Sequence, residues 1–380
     1  MIPRTLFENE HEQFRDSVRK FLAEHAAPYH NQWEKDGQID RNLWNKAGKM
    51  GLLCPTMPEQ YGGPGVDYRY NVIVNEEITK QGLSGLGFIV HSDITVPYIN
   101  NNGSDALKKK YIPGCVTGEL VGAIAMTEPG AGSDLQGIKT TAVLDGDEYV
   151  INGSKTFITN GQHADIVVVV CVTDPKAGAA GISLLVVEAT TPGFERGQNL
   201  EKIGLKAQDT SELFFNDVRV PKENVIGKLG AGFKYLMNEL PQERLGLAVA
   251  ALMSCETAMQ QTIDYVKERK AFGKPVAVFQ NTQFKLAELS AEITSARCFI
   301  DKCIELHLMG KLDAVTASKA KLIGSELQGR VIDECLQLHG GYGYMWEFPI
   351  ARAYADARIQ RIYGGTSEIM KLIIGRDLLS

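Results

Sequence analysis

The hydrophobic period of this 380-residue chain changes twice, which a single uniform layer of helices or strands cannot accommodate. From Glu8 to about Leu120 the pattern is helical. Phe14, Val18, Phe21 and Leu22 recur three and four residues apart with charges between them. Leu43–Met50, Tyr70–Gln81 and Ala106–Gly114 repeat the signal, separated by the Pro/Gly-containing stretches Pro55–Gly65 and Gly82–Gly87. Near Val121 the pattern becomes short and β-branched: Thr140–Leu144, Tyr149–Ile151, Asp165–Val172, Ile182–Glu188 and Glu212–Val220. Asp145-Gly146, Asn152-Gly153 and Thr191-Pro192-Gly193 break these runs as tight turns would, so an antiparallel barrel or sandwich is expected. After Gly230 the helical period returns. It runs through Leu252, Ala258, Ile263 and Val266, then Phe284–Ile300, Ala314–Leu338 and Ile350–Leu379, and four such stretches predict a four-helix bundle. The expected fold class is therefore α+β and multidomain. It comprises an N-terminal all-α domain over 1–120, an antiparallel β-barrel over 121–230 and a C-terminal four-helix bundle over 231–380.

Charge and composition exclude several function classes. The net charge is −6, and the one basic block is Lys108-Lys109-Lys110, which argues against a nucleic-acid partner. The longest apolar runs, such as Ile166–Val172, fall far short of the roughly 20 residues of a membrane span. Met1 leads into an amphipathic charged pattern rather than a signal region, so a bacterial cytoplasm is the expected location, or a mitochondrial matrix for a eukaryotic source. Seven cysteines without a Cys-x-x-Cys pair, and histidines without i, i+4 spacing, suggest neither a disulfide framework nor a metal site. Asn152-Gly153-Ser154 reads as a turn rather than a glycosylation acceptor.

Glycine is the compositional outlier, at 38 residues against a usual share of about 7%. It gathers in a few segments. Thr127-Glu128-Pro129-Gly130-Ala131-Gly132-Ser133-Asp134 combines backbone freedom with hydroxyls but fails the dinucleotide spacing. Phe157-Ile158-Thr159-Asn160-Gly161 puts an aromatic and a hydroxyl two residues apart, on one side of a regular strand. Arg269-Lys270-Ala271-Phe272-Gly273-Lys274, followed by Gln280, joins two helical stretches. Gln337-Leu338-His339-Gly340-Gly341 and Tyr363-Gly364-Gly365-Thr366-Ser367-Glu368 interrupt helices at a cost of about 1 kcal/mol per glycine, which close approach of a ligand or a second subunit would offset.

In this order and spacing, the segments resemble the acyl-CoA dehydrogenase family of flavoproteins over essentially the whole chain. The resemblance implies FAD between barrel and bundle, with Ala125, Met126, Thr127, Gly132, Ser133, Phe157, Ile158 and Thr159 along the flavin. It implies that Arg269, Phe272, Gln280, Gln337, Leu338, His339, Gly340 and Gly341 reach the pyrophosphate and adenosine of a neighbouring subunit's FAD, and that Thr366 and Glu368 contact the same chain's cofactor. Ser133, Gln242, Arg244, Tyr363, Gly364 and Gly365 would face substrate. An acyl-CoA substrate, an electron-transfer flavoprotein as acceptor and a homotetramer come with the family.

Introducing a double bond beside a thioester requires loss of an acidic α proton and a β hydride, and a buried carboxylate is a suitable base. Many relatives carry that glutamate immediately after the tyrosine of the C-terminal motif, where this chain has Gly364. The isovaleryl- and long-chain-type branches carry it on an earlier bundle helix, which here points to Glu243 in Leu240-Pro241-Gln242-Glu243-Arg244. The vacant Gly364-Gly365 pair would leave room for bulky or branched acyl groups. An acyl-CoA oxidase and a non-catalytic flavoprotein scaffold are the alternatives.

Overall fold

Helices built on capped, amphipathic segments open the chain; the computed structural model describes residues 2–380, so Met1 and the leader reading that begins there lie outside the described residues. The first helices are α1 (Asn9–His25), α2 (His30–Asp36), α3 (Arg41–Lys49) and α4 (Tyr68–Lys80). Asp40 and Asp67 cap α3 and α4, accepting from Asn42 N at 2.8 Å and Arg69 N at 2.9 Å, and so satisfy amides that the first turn leaves free. A π-helical segment, Val90–Thr95, runs into α5 (Val96–Asn102), and α6 (Asp105–Thr117) closes the part. Val18, Leu22, Trp44, Leu52 and Leu53 form its core.

Seven strands follow: β1 (Gly122–Ala125), β2 (Thr141–Asp145), β3 (Glu148–Thr159), β4 (Ile166–Val172), β5 (Ile182–Glu188), β6 (Phe194–Asn199) and β7 (Thr210–Pro221). They form one sheet in the order β1-β4-β2-β3-β7-β6, with β5 also paired to β4. Most pairs are antiparallel as expected, but β1 and β2 both run parallel to β4. Asn152-Gly153 is not a turn. It lies inside β3 at a register shift, where a Cβ on Gly153 would stand 2.4 Å from Thr140 Oγ1. Phe157 and Thr159 do not share a regular strand face either, because a second shift between Lys155 and Ile158 puts Phe157 at φ 59°. β6 was not legible, since Phe194–Asn199 alternates around charged and small polar residues without an apolar run.

The bundle is built on α7 (Gly232–Glu268) and α9 (Ala314–His339), with α8 (Gln280–Leu308) between them in the chain. The expected last helix over Ile350–Leu379 is two: α10 (Pro349–Ala357) and α11 (Ser367–Leu379). Between them Gly364 and Gly365 adopt φ 63° and 95°, a left-handed turn no helix continues through. Thr366 then caps α11, accepting from Ile369 N at 3.3 Å.

Two contacts fix the helical parts against each other. Leu6, Tyr68 and Val72 join the bundle core of Leu245, Leu252 and Ile300. Glu76, fully buried on α4, accepts from Arg4 (2.8 Å), Arg15 (2.8 Å) and Arg297 of α8 (3.2 Å), so its desolvation is offset by three guanidinium groups and its pKa lies below the usual carboxylate value. Among the described residues no helix is long and apolar enough to cross a membrane, and no cluster of His, Cys, Asp and Glu could hold a metal ion.

Candidate active site

Where α4, the π-helical segment, the sheet and α7 meet, they enclose a cavity of about 390 Å³. Glu243 projects into it from α7, only 6% exposed. Burial, the dominant cause, raises its pKa to about 7; Glu239, one turn earlier, pushes the same way, while Tyr98 and Arg244 pull back. The Tyr98 hydroxyl donates to Glu243 Oε1 at 2.8 Å from α5, leaving Oε2 without a protein partner. Glu239 is clamped in turn by the side-chain amides of Asn101 and Asn102, at 3.1 and 3.3 Å.

Tyr363 and Gly364 line the same cavity as Glu243. The glycine pair is less open than the sequence suggests, because a Cβ on Gly364 would meet Leu247 Cδ1 at 2.4 Å and one on Gly365 would meet Met370 Cε at 2.6 Å. The turn is held from behind by two cations. Arg244 Nε donates to Gly364 O at 3.4 Å and its Nη1 to Ser318 Oγ at 3.2 Å, while Lys321 Nζ donates to Gly365 O at 2.7 Å. Arg244 therefore grips the wall of the cavity rather than lining it. Gln242 also turns away, donating to the main-chain oxygen of Asp93 at 2.6 Å, which ties α7 to the π-helical segment.

On the sheet side, Met126, Thr127, Phe157, Ile158 and Thr159 line the same cavity. Phe157 remains 66% exposed. Ala125 does not reach the cavity with its side chain, which is buried in the sheet core as strand alternation requires. Gly132 and Ser133 stand in an exposed loop outside the cavity lining, and space around Gly130 and Gly132 is open. That loop is anchored by Glu128, which accepts from Lys139 N (2.6 Å), Thr140 N (2.9 Å) and Lys155 Nζ (2.8 Å). Lys155, fully buried, also donates to Met126 O and Val170 O, so its charge is matched by three acceptors.

A second cavity, of about 450 Å³, gathers Arg269, Gln337, Leu338, His339, Gly340 and Gly341. The His339 ring itself is internal, stacked on Tyr265 at 4.3 Å with Nδ1 against Cys335 O. Phe272 and Gln280 lie outside this cavity, Phe272 being 95% exposed at φ 52°. Glu368 is exposed at the start of α11. Tyr98, Lys321 and the Glu128–Lys155 pair were missed by sequence reasoning. Only the pair carried a signal, since each partner lies in or beside a glycine segment.

Family models for the acyl-CoA dehydrogenase N-terminal, middle and C-terminal domains match residues 8–119, 123–218 and 230–379. The mitochondrial long-chain specific acyl-CoA dehydrogenase of Sus scrofa is 53% identical over 378 residues, covering 99% of this chain and 88% of the relative. An acyl-CoA dehydrogenase crystal structure from Geobacillus kaustophilus superposes with a TM-score of 0.97 at 53% identity, covering 99% of this chain and all of that one. An acyl-CoA dehydrogenase from Bacillus anthracis, complexed with FAD, has a TM-score of 0.92 at 33% identity, covering 98% of this chain and 68% of that one. The chain belongs to the acyl-CoA dehydrogenase family.

Proposed function

We propose that this FAD-dependent acyl-CoA dehydrogenase acts on long, straight or branched acyl thioesters, with Glu243 removing the α proton. The observation that carries the proposal is Glu243 itself: a buried carboxyl lining the same cavity as a glycine turn that carries no carboxylate, whereas the other lining carboxylate, Asp356, accepts from Leu205 N at 2.5 Å. With Oε1 held by Tyr98, the free Oε2 is the atom that accepts the proton. A pKa raised to about 7 suits a base working near neutral pH, strong enough to take the proton and ionised in a sizeable fraction of molecules.

The residues present fit FAD. Phe157, held out of the sheet by its bulge, offers an aromatic face to the cavity, and the Thr127 and Thr159 residues bring hydroxyls to the same wall. The loop at Gly130 and Gly132 leaves room for close backbone approach. When bound, FAD supplies the acceptor for the β hydride. The second cavity, with Arg269 beside Gly340 and Gly341, is proposed to take the pyrophosphate and adenosine of a neighbouring subunit's FAD, together with Phe272 and Gln280. Thr366 and Glu368 would then contact the chain's own cofactor. A homotetramer passing electrons to an electron-transfer flavoprotein completes this reading.

Chain length is supported by the shape of the cavity. Glu243, Leu247, Ala250, Ser254, Ala258 and Gln261 line it from one face of α7. Eighteen residues at about 1.5 Å each extend that wall to roughly 27 Å, ample for a long acyl chain. Mixing the holoenzyme anaerobically with straight and branched acyl-CoAs and following flavin bleaching tests the proposal. Efficient bleaching that is lost in Glu243→Gln supports it; unchanged bleaching in that variant eliminates Glu243 as the base.

A further inference from the structure

Two buried cations stand behind the glycine turn, and they are compensated differently. Arg244 follows Glu243 directly on α7, and the two charges act on each other. Lys321 of α9 is only 1% exposed, yet among the described residues its ammonium makes a single hydrogen bond, to the main-chain oxygen of Gly365 at 2.7 Å. The charges that act on it are Arg244, which repels it, and the carboxylates of Glu326 and Glu368. Glu326 is engaged elsewhere, with Arg361 and with the Ser367 hydroxyl, each at 2.7 Å, and Glu368 is exposed at the start of α11. An ammonium taken out of water against one neutral acceptor is costly, because buried charges are ordinarily paired. Burial, and then Arg244, lower its pKa to about 8, so the charge is still present at pH 7.

The turn brings this charge to the reacting carbons. A Cβ on Gly364 would meet Leu247 Cδ1 at 2.4 Å, and Leu247 lies one helical turn past Glu243 on α7, so the glycine turn borders the base. Ser318, which accepts from Arg244, and Lys321 are a turn apart on α9, so one helix face sets both cations against consecutive carbonyls, those of Gly364 and Gly365. When the α C–H bond breaks, the proton passes to Glu243 Oε2 and the bonding pair spreads onto the thioester oxygen. Negative charge thereby leaves the carboxylate and builds up on the substrate. The charges acting on Glu243 are Glu239 and Arg244, so the lysine does not stabilise the resting carboxylate. A fixed cation behind the substrate, shielded from water, favours the shifted charge without reorganising.

Resting on the acyl-CoA dehydrogenase reading, we infer that Lys321 is a positioning residue for α-proton transfer: through Gly365 O it holds the glycine turn against the substrate, and its charge favours the enolate form of the thioester. A residue that only braced the turn would act through geometry alone. Lys321 acts through its charge as well, and the two roles separate in the acidity of a bound ligand.

The test uses the holoenzyme with 3-thiadodecanoyl-CoA, whose α proton is acidic but whose sulfur replaces the carbon that would lose a hydride. The pKa of the bound ligand is titrated from the long-wavelength absorption that its deprotonated form gives beside flavin. Lys321→Met should raise that pKa by about one unit or more, and should lower kcat for flavin bleaching by dodecanoyl-CoA about 10-fold or more with KM held within about 3-fold. In the wild type the charge is present below about pH 8 and is lost as pH rises through that value, so kcat should fall on the alkaline side. Lys321→Arg, charged at every accessible pH, should keep the wild-type ligand pKa and extend the profile upward. A ligand pKa unmoved in Lys321→Met overturns the inference and leaves the dehydrogenase reading intact. An alkaline limb that Lys321→Arg leaves in place also overturns it, and this comparison decides the matter if the methionine variant fails to retain flavin. If no acyl-CoA bleaches the flavin of the wild type, the dehydrogenase reading fails and the role of Lys321 falls with it.

Discussion

The Tyr98 hydroxyl donates to Glu243 Oε1 at 2.8 Å, joining the helix that follows the π-helical segment to the first third of α7. A hydrogen bond to the charged form stabilises it, so Tyr98 lowers the pKa of a carboxyl that burial raises. Tyr98→Phe removes that donor. The acid limb of the pH profile for flavin reduction should move upward, and the rate at pH 7 should fall by about 3- to 10-fold, with wild-type turnover recovered at higher pH. A profile superimposable on the wild type would show that Tyr98 does not act on the base.

Glu243→Gln separates catalysis from stability. Folding raises the Glu243 pKa from about 4.5 to about 7, so the folded state binds the extra proton between those values. Stability from this group is full below about pH 4.5 and is lost as pH rises through 7. A neutral glutamine escapes that loss. The variant should therefore be inactive, yet more stable than wild type at pH 8 by up to about 3 kcal/mol, with the advantage fading by pH 4. Paired thermal melts of the two proteins at pH 4 and pH 8 measure it; equal differences at both would contradict the burial argument.

Much of this arrangement was legible in one dimension because period and glycine carry local physics. The three-part pattern follows from side-chain alternation along each segment. Glu243 was proposed from the vacancy at Gly364, a resemblance argument rather than a spacing argument. What stayed hidden depends on contacts far apart in the chain. Tyr98 lies 145 residues from Glu243, and nothing in Val96–Asn102 marks it as a partner. Asn152-Gly153 was misread because a strand bulge and a hairpin turn both call for a residue without a Cβ, and only the strand pairing tells them apart. The apparent space at Gly364 was misread for a similar reason: Leu247 fills it, from a different helix.

Lys155→Met should show that the sheet-side loop is held electrostatically. The substitution strands Glu128 in a buried site, keeping only its two main-chain donors, Lys139 N and Thr140 N. Removing one partner of a buried pair costs about 3–5 kcal/mol. The expected outcome is a lowered melting temperature with weakened FAD retention, while Lys155→Met combined with Glu128→Gln recovers part of the stability. If the double variant is no more stable than the single one, an unpaired Glu128 charge is not the source of the loss.

The Gly364 position combines two separable costs. An alanine there must adopt φ 63°, worth about 1–2 kcal/mol for a residue with a Cβ, and it must also displace Leu247 from 2.4 Å. Gly364→Ala should consequently be destabilised by more than the backbone cost alone, and it should lose branched substrates before straight ones because the displaced Leu247 crowds the cavity. Leu247→Ala in the same chain relieves the steric part but not the backbone part. A double-mutant cycle should therefore give a favourable coupling of about 1 kcal/mol between these two sites, with branched-chain turnover partly restored. Strict additivity would place the whole effect in the backbone and remove Leu247 as the element that sets the width of the cavity at the reacting carbons.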